Sequence, residues 1–151
     1  MKRPLEIRPV REDDLRPLYL LGREFFKNQD PLFMPAWNES NLADVIARGR
    51  DLALVAIAKK KPVGFLIASL EETDGHTEAV IRWLCADESK NPGLYAGLLA
   101  AFTDTLSGRT IKKITIALPE TNAELIDYFR NNGFTDSKHF IIMENFLHSH
   151  G

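Results

Sequence analysis

The sequence predicts an α/β protein: a mixed, mostly antiparallel sheet with helices packed against it. Three observations predict it. Residues 52–85 carry three β-rich runs separated only by short polar turns, which reads as an antiparallel meander. The third run leads through a Pro- and Gly-bearing turn into an apolar-striped helix, and then into a further β-rich run. A strand–helix–strand unit of this kind requires its two strands to be parallel. Two more stretches of helical periodicity precede the meander and one follows it.

In chain order, LEIRPV (Leu5 to Val10) reads as a short opening strand. Asp13 or Asp14 caps a helix with apolar positions Leu15, Leu18, Tyr19, Gly22, Phe25 and Phe26. Pro17 falls in its first turn, where a missing N–H is tolerated. The loop NQDPLFMPAWNES follows; its Phe33, Met34 and Trp37 either pin it to the core or form an apolar wall for a ligand. Ser40 or Asn41 starts a second short helix, with Leu42, Val45 and Ile46 inside and Gly49 at its end. Leu52–Ala58 and Val63–Leu70 form a hairpin across Lys59–Pro62, whose three lysines read as a solvated turn. Glu71–Gly75 is a polar turn, and Ala79–Cys85 is the third strand of the meander.

Asp87–Gly93 is the turn into the central helix, whose inner side carries Leu94, Leu98, Ala101, Phe102 and Thr105. Ile111–Leu118 is the next strand. Thr121 or Asn122 caps a late helix running to about Asn132, with Leu125, Ile126 and Phe129 inward and Gly133 as its stop. Phe140–Phe146 reads as a final strand.

Composition bounds the function. A chain of 151 residues is long enough for one domain that buries about 70 % of its unfolded surface. Nineteen Lys and Arg against 21 Asp and Glu give a net charge of −2, which argues against a nucleic-acid partner. No apolar run approaches the ~20 residues of a membrane span, and the N-terminus lacks a signal-peptide core. The single cysteine, Cys85, cannot form an internal disulfide and fits a reducing compartment. The expectation is a cytoplasmic protein. His139, His148 and His150 have no paired ligand spacing, so no metal is expected.

Chemistry concentrates at the turn after the third strand. A strand feeding a glycine turn and a helix leaves peptide N–H groups at the helix start, where the helix dipole attracts anionic oxygens. The N–H groups of Asn91, Gly93, Leu94 and Tyr95 form such a seat, with Lys90 adding positive charge. Pro92 contributes no donor. The competing reading is an ordinary βα turn that binds nothing.

Several strings then carry a family resemblance: IRPVREDDLRPLYLL at the start, KKKPVGFLIA in the hairpin, and NAELIDYFRNNGF with Asn122, Gly133 and Phe134 in the late helix. With the order of elements, they resemble the GNAT family of acyl-CoA N-acyltransferases over nearly the whole chain. The resemblance implies a GNAT-like sheet with a splayed parallel pair, one domain over 1–151, and acetyl-CoA as co-substrate. The family's cofactor turn, Q/R-x-x-G-x-G/A, overlays Lys90-Asn91-Pro92-Gly93-Leu94-Tyr95. Gly93 fits, Tyr95 stands where a small residue is usual, and Gly97 comes two residues too late to replace it. Leu84, Cys85 and Ala86 would pair with the pantetheine arm, and Asn122 and Phe129 are carried to the cofactor side.

The implied chemistry is attack of an amine on a thioester in a ternary complex. It needs a base or water path, an N–H donor for the oxyanion, and a proton for the departing thiolate. Backbone N–H groups at Cys85 or Ala86 would serve the oxyanion. The family's acid tyrosine falls at Phe129, with Tyr128 one residue early, a rotation of about 100°. Tyr128 is therefore the candidate acid. Glu78 is the first candidate base, ahead of His76, Asp87 and Glu88, and Cys85 lacks any local activation as a nucleophile. The resemblance predicts an acetyl-CoA-dependent N-acetyltransferase acting on a small molecule, amino acid or peptide amine. The alternatives are a non-catalytic acyl-CoA-binding or protein-interaction module and a dimerising or regulatory domain; a homodimer stays open.

Overall fold

The computed structural model describes residues 5–27 and 35–147. They belong to two compact units, Met1–Ala117 and Leu118–Gly151. The larger unit holds a five-stranded sheet in the order β1-β2-β3-β4-β5. Strand β1 is Glu6–Pro9, β2 Ala53–Ala58, β3 Lys61–Thr73, β4 His76–Ala86 and β5 Lys113–Ile116. Neighbours from β1 to β4 are antiparallel, and β5 runs parallel to β4, as the strand–helix–strand unit demands. Helices α1 (Leu15–Phe25) and α2 (Glu39–Arg48) precede the meander, and α3 (Leu94–Leu106) links β4 to β5. Among the described residues no helix is long and apolar enough to cross a membrane.

The hairpin turns are tighter than expected. Lys59 and Lys60 alone join β2 to β3, with φ of 52° and 67°. Asp74 and Gly75, at 51° and 81°, join β3 to β4. Such two-residue turns match the twist of their strands, and Asp-Gly suits the second. Glu71, Glu72 and Thr73, expected in a turn, therefore pair with Glu78, Thr77 and His76. Helix α2 starts at Glu39, one residue early, because Asn38 caps it by accepting from the Asn41 N–H at 2.7 Å.

Register assigns the faces. Val55, Phe65, Ile67, Trp83 and Cys85 are buried with Leu18 of α1, Phe26 just after it, and Leu42 and Ile46 of α2. Trp37 completes this core rather than a ligand wall. Its ring stacks on Phe65 at 5.1 Å, meets Trp83 edge-on at 5.1 Å, and its Nε1–H donates to the Tyr19 carbonyl at 3.0 Å. Phe33 and Met34, the other members of the expected wall, lie outside the described residues. On the opposite face Ile7, Ala56 and Gly64 pair across the strands. There α3 buries Leu94, Leu98, Phe102 and Leu106. Gly97 belongs to this contact, since a Cβ on it would come within 2.7 Å of Ile7 Cδ1.

Asp14 does not cap α1 with its side chain. Its carboxylate accepts from the Arg11 N–H at 2.7 Å and from the Arg8 guanidinium at 2.7 and 3.1 Å. The Arg8 hydrogen bonds, aided by the Arg11 N–H, hold its pKa below the usual carboxylate range. A depressed folded pKa gives stability that is present above the unfolded value of about 3.9 and lost as pH falls through the folded one. Asp14→Asn is thus expected to lower the melting temperature at pH 7 and to flatten its decline below about pH 4. Parallel melting curves against pH for the two proteins would remove Asp14 from the acid response.

In the smaller unit, α4 (Ala123–Asn131) is capped by the Asn122 side chain, which accepts from the Leu125 N–H at 3.4 Å. The expected final strand over Phe140–Phe146 does not form; residues 134–147 have no regular secondary structure. The run is apolar without alternation, so it specifies no face, and among the described residues of its unit there is no other strand to pair with. Phe140, Ile141, Met143, Phe146 and Leu147 are left exposed.

Candidate active site

The β4–β5 ladder ends part-way along β4, beside a local irregularity in that strand. Ile67 pairs with Trp83 but Ala68 pairs with Ile81, so Arg82 is an extra residue in β4. A bulge of this kind bends and twists its strand. It also lets Ile81 and Trp83, two residues apart, face opposite sides of the sheet. The β4–β5 ladder stops at the same place, with Ile81 opposite Ile116, while β4 runs on from Arg82 to Ala86. Leu84, Cys85 and Ala86 thus stand on a length of β4 that extends past its last pair with β5.

Arg82 itself was not singled out in the sequence, because a bulge has no residue signature here. Its Nε–H donates to Ser69 Oγ at 2.8 Å and its terminal nitrogen pairs with the Glu71 carboxylate. Ser69 and Glu71 also line a cavity of about 190 Å³ with Arg48, Asp51 and Arg109, the last two forming an ion pair.

At the far end of that strand segment, the turn Asp87–Gly93 delivers the chain to α3. Gly93 has φ of 89°, a left-handed conformation that glycine adopts without strain, and a Cβ on it would meet nothing within 4 Å. The peptide donors of the turn, expected to be open, are engaged. Asn91 N–H donates to the Asp87 carbonyl and Leu94 N–H to the Asn91 carbonyl, each at 3.1 Å. Gly93 N–H and Tyr95 N–H donate to the two carboxylate oxygens of Glu88, at 2.6 and 2.8 Å. Glu88, weighed in the sequence as a solvated turn residue or a base, instead sits on the helix start as an anion. The only signal available was an acid near a helix N-terminus, where the dipole favours it.

Asp87 completes the turn. Its carboxylate accepts from Ser89 Oγ at 2.6 Å and from the Lys90 N–H at 3.3 Å, and chiefly the Ser89 bond holds its pKa low. Lys90 is exposed and Tyr95 half-buried in the first turn of α3. Cys85 is buried in the core, and that burial pushes its thiol pKa up to about 12. A thiol so held stays protonated at neutral pH and serves packing.

Glu78, the first candidate base, lies near the start of β4. It pairs with Lys113 inside the β4–β5 ladder, at the end of β4 away from Leu84–Ala86. Thr115 Oγ1 donates to its carboxylate at 3.0 Å, and Lys113 Nζ lies 3.7 Å from it. His76 opens the same strand at the β3–β4 turn. In the smaller unit, Phe129 is buried and meets Tyr128 edge-on at 5.8 Å and Phe134 at 4.8 Å; Tyr128 is half-buried. His139 lies 3.5 Å from Asp136. Among the described residues, no three His, Cys, Asp or Glu side chains are grouped to hold a metal.

No protein-family model and no curated protein matches this sequence. Solved structures do match. The aminoglycoside N-acetyltransferase AAC(6')-Iy in complex with CoA superposes with a TM-score of 0.74 at 14 % identity, over 96 % of this chain and 97 % of that one. Ard1 from Thermoplasma volcanium gives 0.72 at 18 % identity, over 89 % and 84 %. Arabidopsis thaliana Naa50, in complex with the bisubstrate analogue CoA-Ac-MVNAL, gives 0.68 at 20 % identity, over 89 % and 85 %. The parallel pair beside a bulged strand, the meander before it and these superpositions agree: the chain has the fold of the GNAT N-acetyltransferases.

Proposed function

We propose that the chain is an acetyl-CoA-dependent N-acetyltransferase of the cytoplasm, with residues 1–151 working as one domain. The acceptor is a primary amine of a small molecule, amino acid or peptide, attacking directly in a ternary complex. The observation that carries this is the joint placement of two features at one end of β4. One is a strand length past its last pair with β5; the other is a helix start whose N–H groups already hold an oxyanion. The Glu88 carboxylate is the stand-in that tests the fit. Two converging peptide donors bind both its oxygens, which is the contact a phosphate group would make. Gly93 itself adds no side chain to that approach.

Gly93 and Tyr95 N–H, with Lys90, would hold the diphosphate, and Leu84, Cys85 and Ala86 the pantetheine arm. Bound acetyl-CoA supplies an acetyl group activated as a thioester. Backbone N–H groups at Cys85 or Ala86 would polarise its carbonyl oxygen, a role that requires pre-aimed donors and no side chain. Tyr128 would hold a proton at its hydroxyl for the departing thiolate. Tyr128→Phe is then expected to lower kcat about 100-fold with a small change in KM. A loss under about 3-fold would end that role.

Glu78 ties β4 to β5 through Thr115 and Lys113, and the amine proton would pass to solvent water rather than to this carboxylate. Glu78→Gln is expected to lower the melting temperature by about 2–4 °C and leave turnover within about 3-fold. A far larger loss of turnover at an unchanged melting temperature would restore Glu78 as the base. The non-catalytic acyl-CoA-binding module keeps support from one observation: Phe129, at the acid position, is buried against Phe134. Calorimetric titration with acetyl-CoA, followed by thiol release across a panel of amines, separates the readings. Binding with release supports the enzyme, and binding without release the module. No heat and no thermal shift at millimolar cofactor would defeat both.

A further inference from the structure

We propose that Glu88 is a built-in competitor for the cofactor's diphosphate, so that the seat at the start of α3 opens only when this side chain swings out. The inference rests on the cofactor reading above and concerns how that same site is regulated. Glu88 reaches forward across the turn and places one carboxylate oxygen 2.6 Å from the Gly93 nitrogen and the other 2.8 Å from the Tyr95 nitrogen. A peptide N–H that donates along one short, well-aligned bond cannot donate equally to a second anion. The remaining donors at the seat, on Asn91 and Leu94, are committed to backbone carbonyls. A diphosphate therefore has no vacant pair of donors to approach while Glu88 is in place.

Charge acts in the same direction. The turn from Asp87 to Gly93 carries two carboxylates, Asp87 and Glu88, against one cation, Lys90. A diphosphate arriving at the closed turn meets net negative charge. Once Glu88 has rotated away, it meets two free N–H groups, the positive end of the α3 dipole and Lys90. Such competition weakens the apparent affinity by the fraction of molecules whose seat is open. If roughly 1–10 % are open, the loss is about 10- to 100-fold, and removing the carboxylate recovers it.

Glu88 also satisfies two donors that would otherwise be orphaned at the helix start, so its removal loosens α3. Competition and capping therefore predict effects of opposite sign: lower stability with higher affinity. A capping role alone lowers stability and leaves affinity unchanged or weaker.

The test uses the full chain and the variants Glu88→Gln and Glu88→Ala. CoA affinity is measured by calorimetry, melting temperature by scanning, and the Gly93 and Tyr95 amide resonances are followed during titration with inorganic pyrophosphate. We expect CoA to bind both variants at least about 10-fold more tightly than the parent, with a lower melting temperature. We expect pyrophosphate to move the two resonances in Glu88→Gln at correspondingly lower concentration. If CoA binds all three proteins equally, or the variants more weakly, the competitor is overturned and the cofactor reading stands. Pyrophosphate shifts that are the same with and without Glu88 overturn it as well. If no form binds CoA at millimolar concentration, the cofactor reading falls and the competitor falls with it.

Discussion

A glutamate in place of Gly93 is expected to weaken acetyl-CoA binding by at least about 100-fold. Sterics do not cause this, since a Cβ at that position meets nothing within 4 Å. Charge and backbone do. The new carboxylate would stand on a residue whose own N–H belongs to the anion seat, beside Glu88 and Asp87. Like charges at about 4 Å repel by about 4 kcal/mol at a surface-like dielectric, more than the ~2.7 kcal/mol that a 100-fold loss represents. The backbone adds a second effect, because the φ of 89° is a left-handed conformation that costs a non-glycine residue roughly 1–2 kcal/mol. A fall of about 2–8 °C is therefore expected as well. Gly93→Asn provides the control: asparagine tolerates this conformation, so it should keep affinity within about 3-fold and most of the melting temperature. Unaltered CoA affinity in Gly93→Glu would mean that the diphosphate sits elsewhere.

What could be read from the sequence was whatever depended on neighbours along the chain. The meander, the parallel pair around α3, the Asn122 cap and the Gly133 stop are all short-range patterns, and all of these appear in the structure. The bulge at Arg82 was not readable, because it is a mismatch of register between two strands and leaves no mark on either alone. The Glu88 contact escaped for a related reason. An acid five positions ahead of Gly93 can face solvent or fold forward, and only the path of the turn decides which. Trp37 illustrates a third limit: an aromatic in a proline-rich loop suits a ligand wall and a core equally, until Gly22 is seen to leave it a slot. A Cβ on Gly22 would come within 2.3 Å of the Trp37 ring. The strand expected over Phe140–Phe146 failed because apolar propensity supplies no ladder partner.

That aromatic slot carries the second large effect. Trp83 has no exposed surface, meets Trp37 edge-on at 5.1 Å, and donates its Nε1–H to the Pro35 carbonyl at 3.0 Å. Truncation to alanine would empty the centre of the core between the sheet and α1 and leave the Pro35 carbonyl without this donor. The combined cavity and transfer loss for a buried tryptophan is about 3–5 kcal/mol. For a chain of this size that lowers the melting temperature by roughly 6–20 °C. Since a domain has only about 5–15 kcal/mol in all, Trp83→Ala can fail to accumulate as folded protein. Trp83→Phe keeps most of the ring and removes the Nε1–H donor, so a smaller loss of about 1–3 kcal/mol is expected. The consequence extends to the site, because Trp83 follows Arg82 directly and its burial anchors the bulge beside the unpaired end of β4. Trp83→Phe should therefore also weaken acetyl-CoA binding a few-fold, although its side chain faces away from α3. Thermal unfolding and calorimetry on the same samples check both effects. A melting temperature within about 1 °C of the parent would show that the bulge is held by the backbone ladder alone.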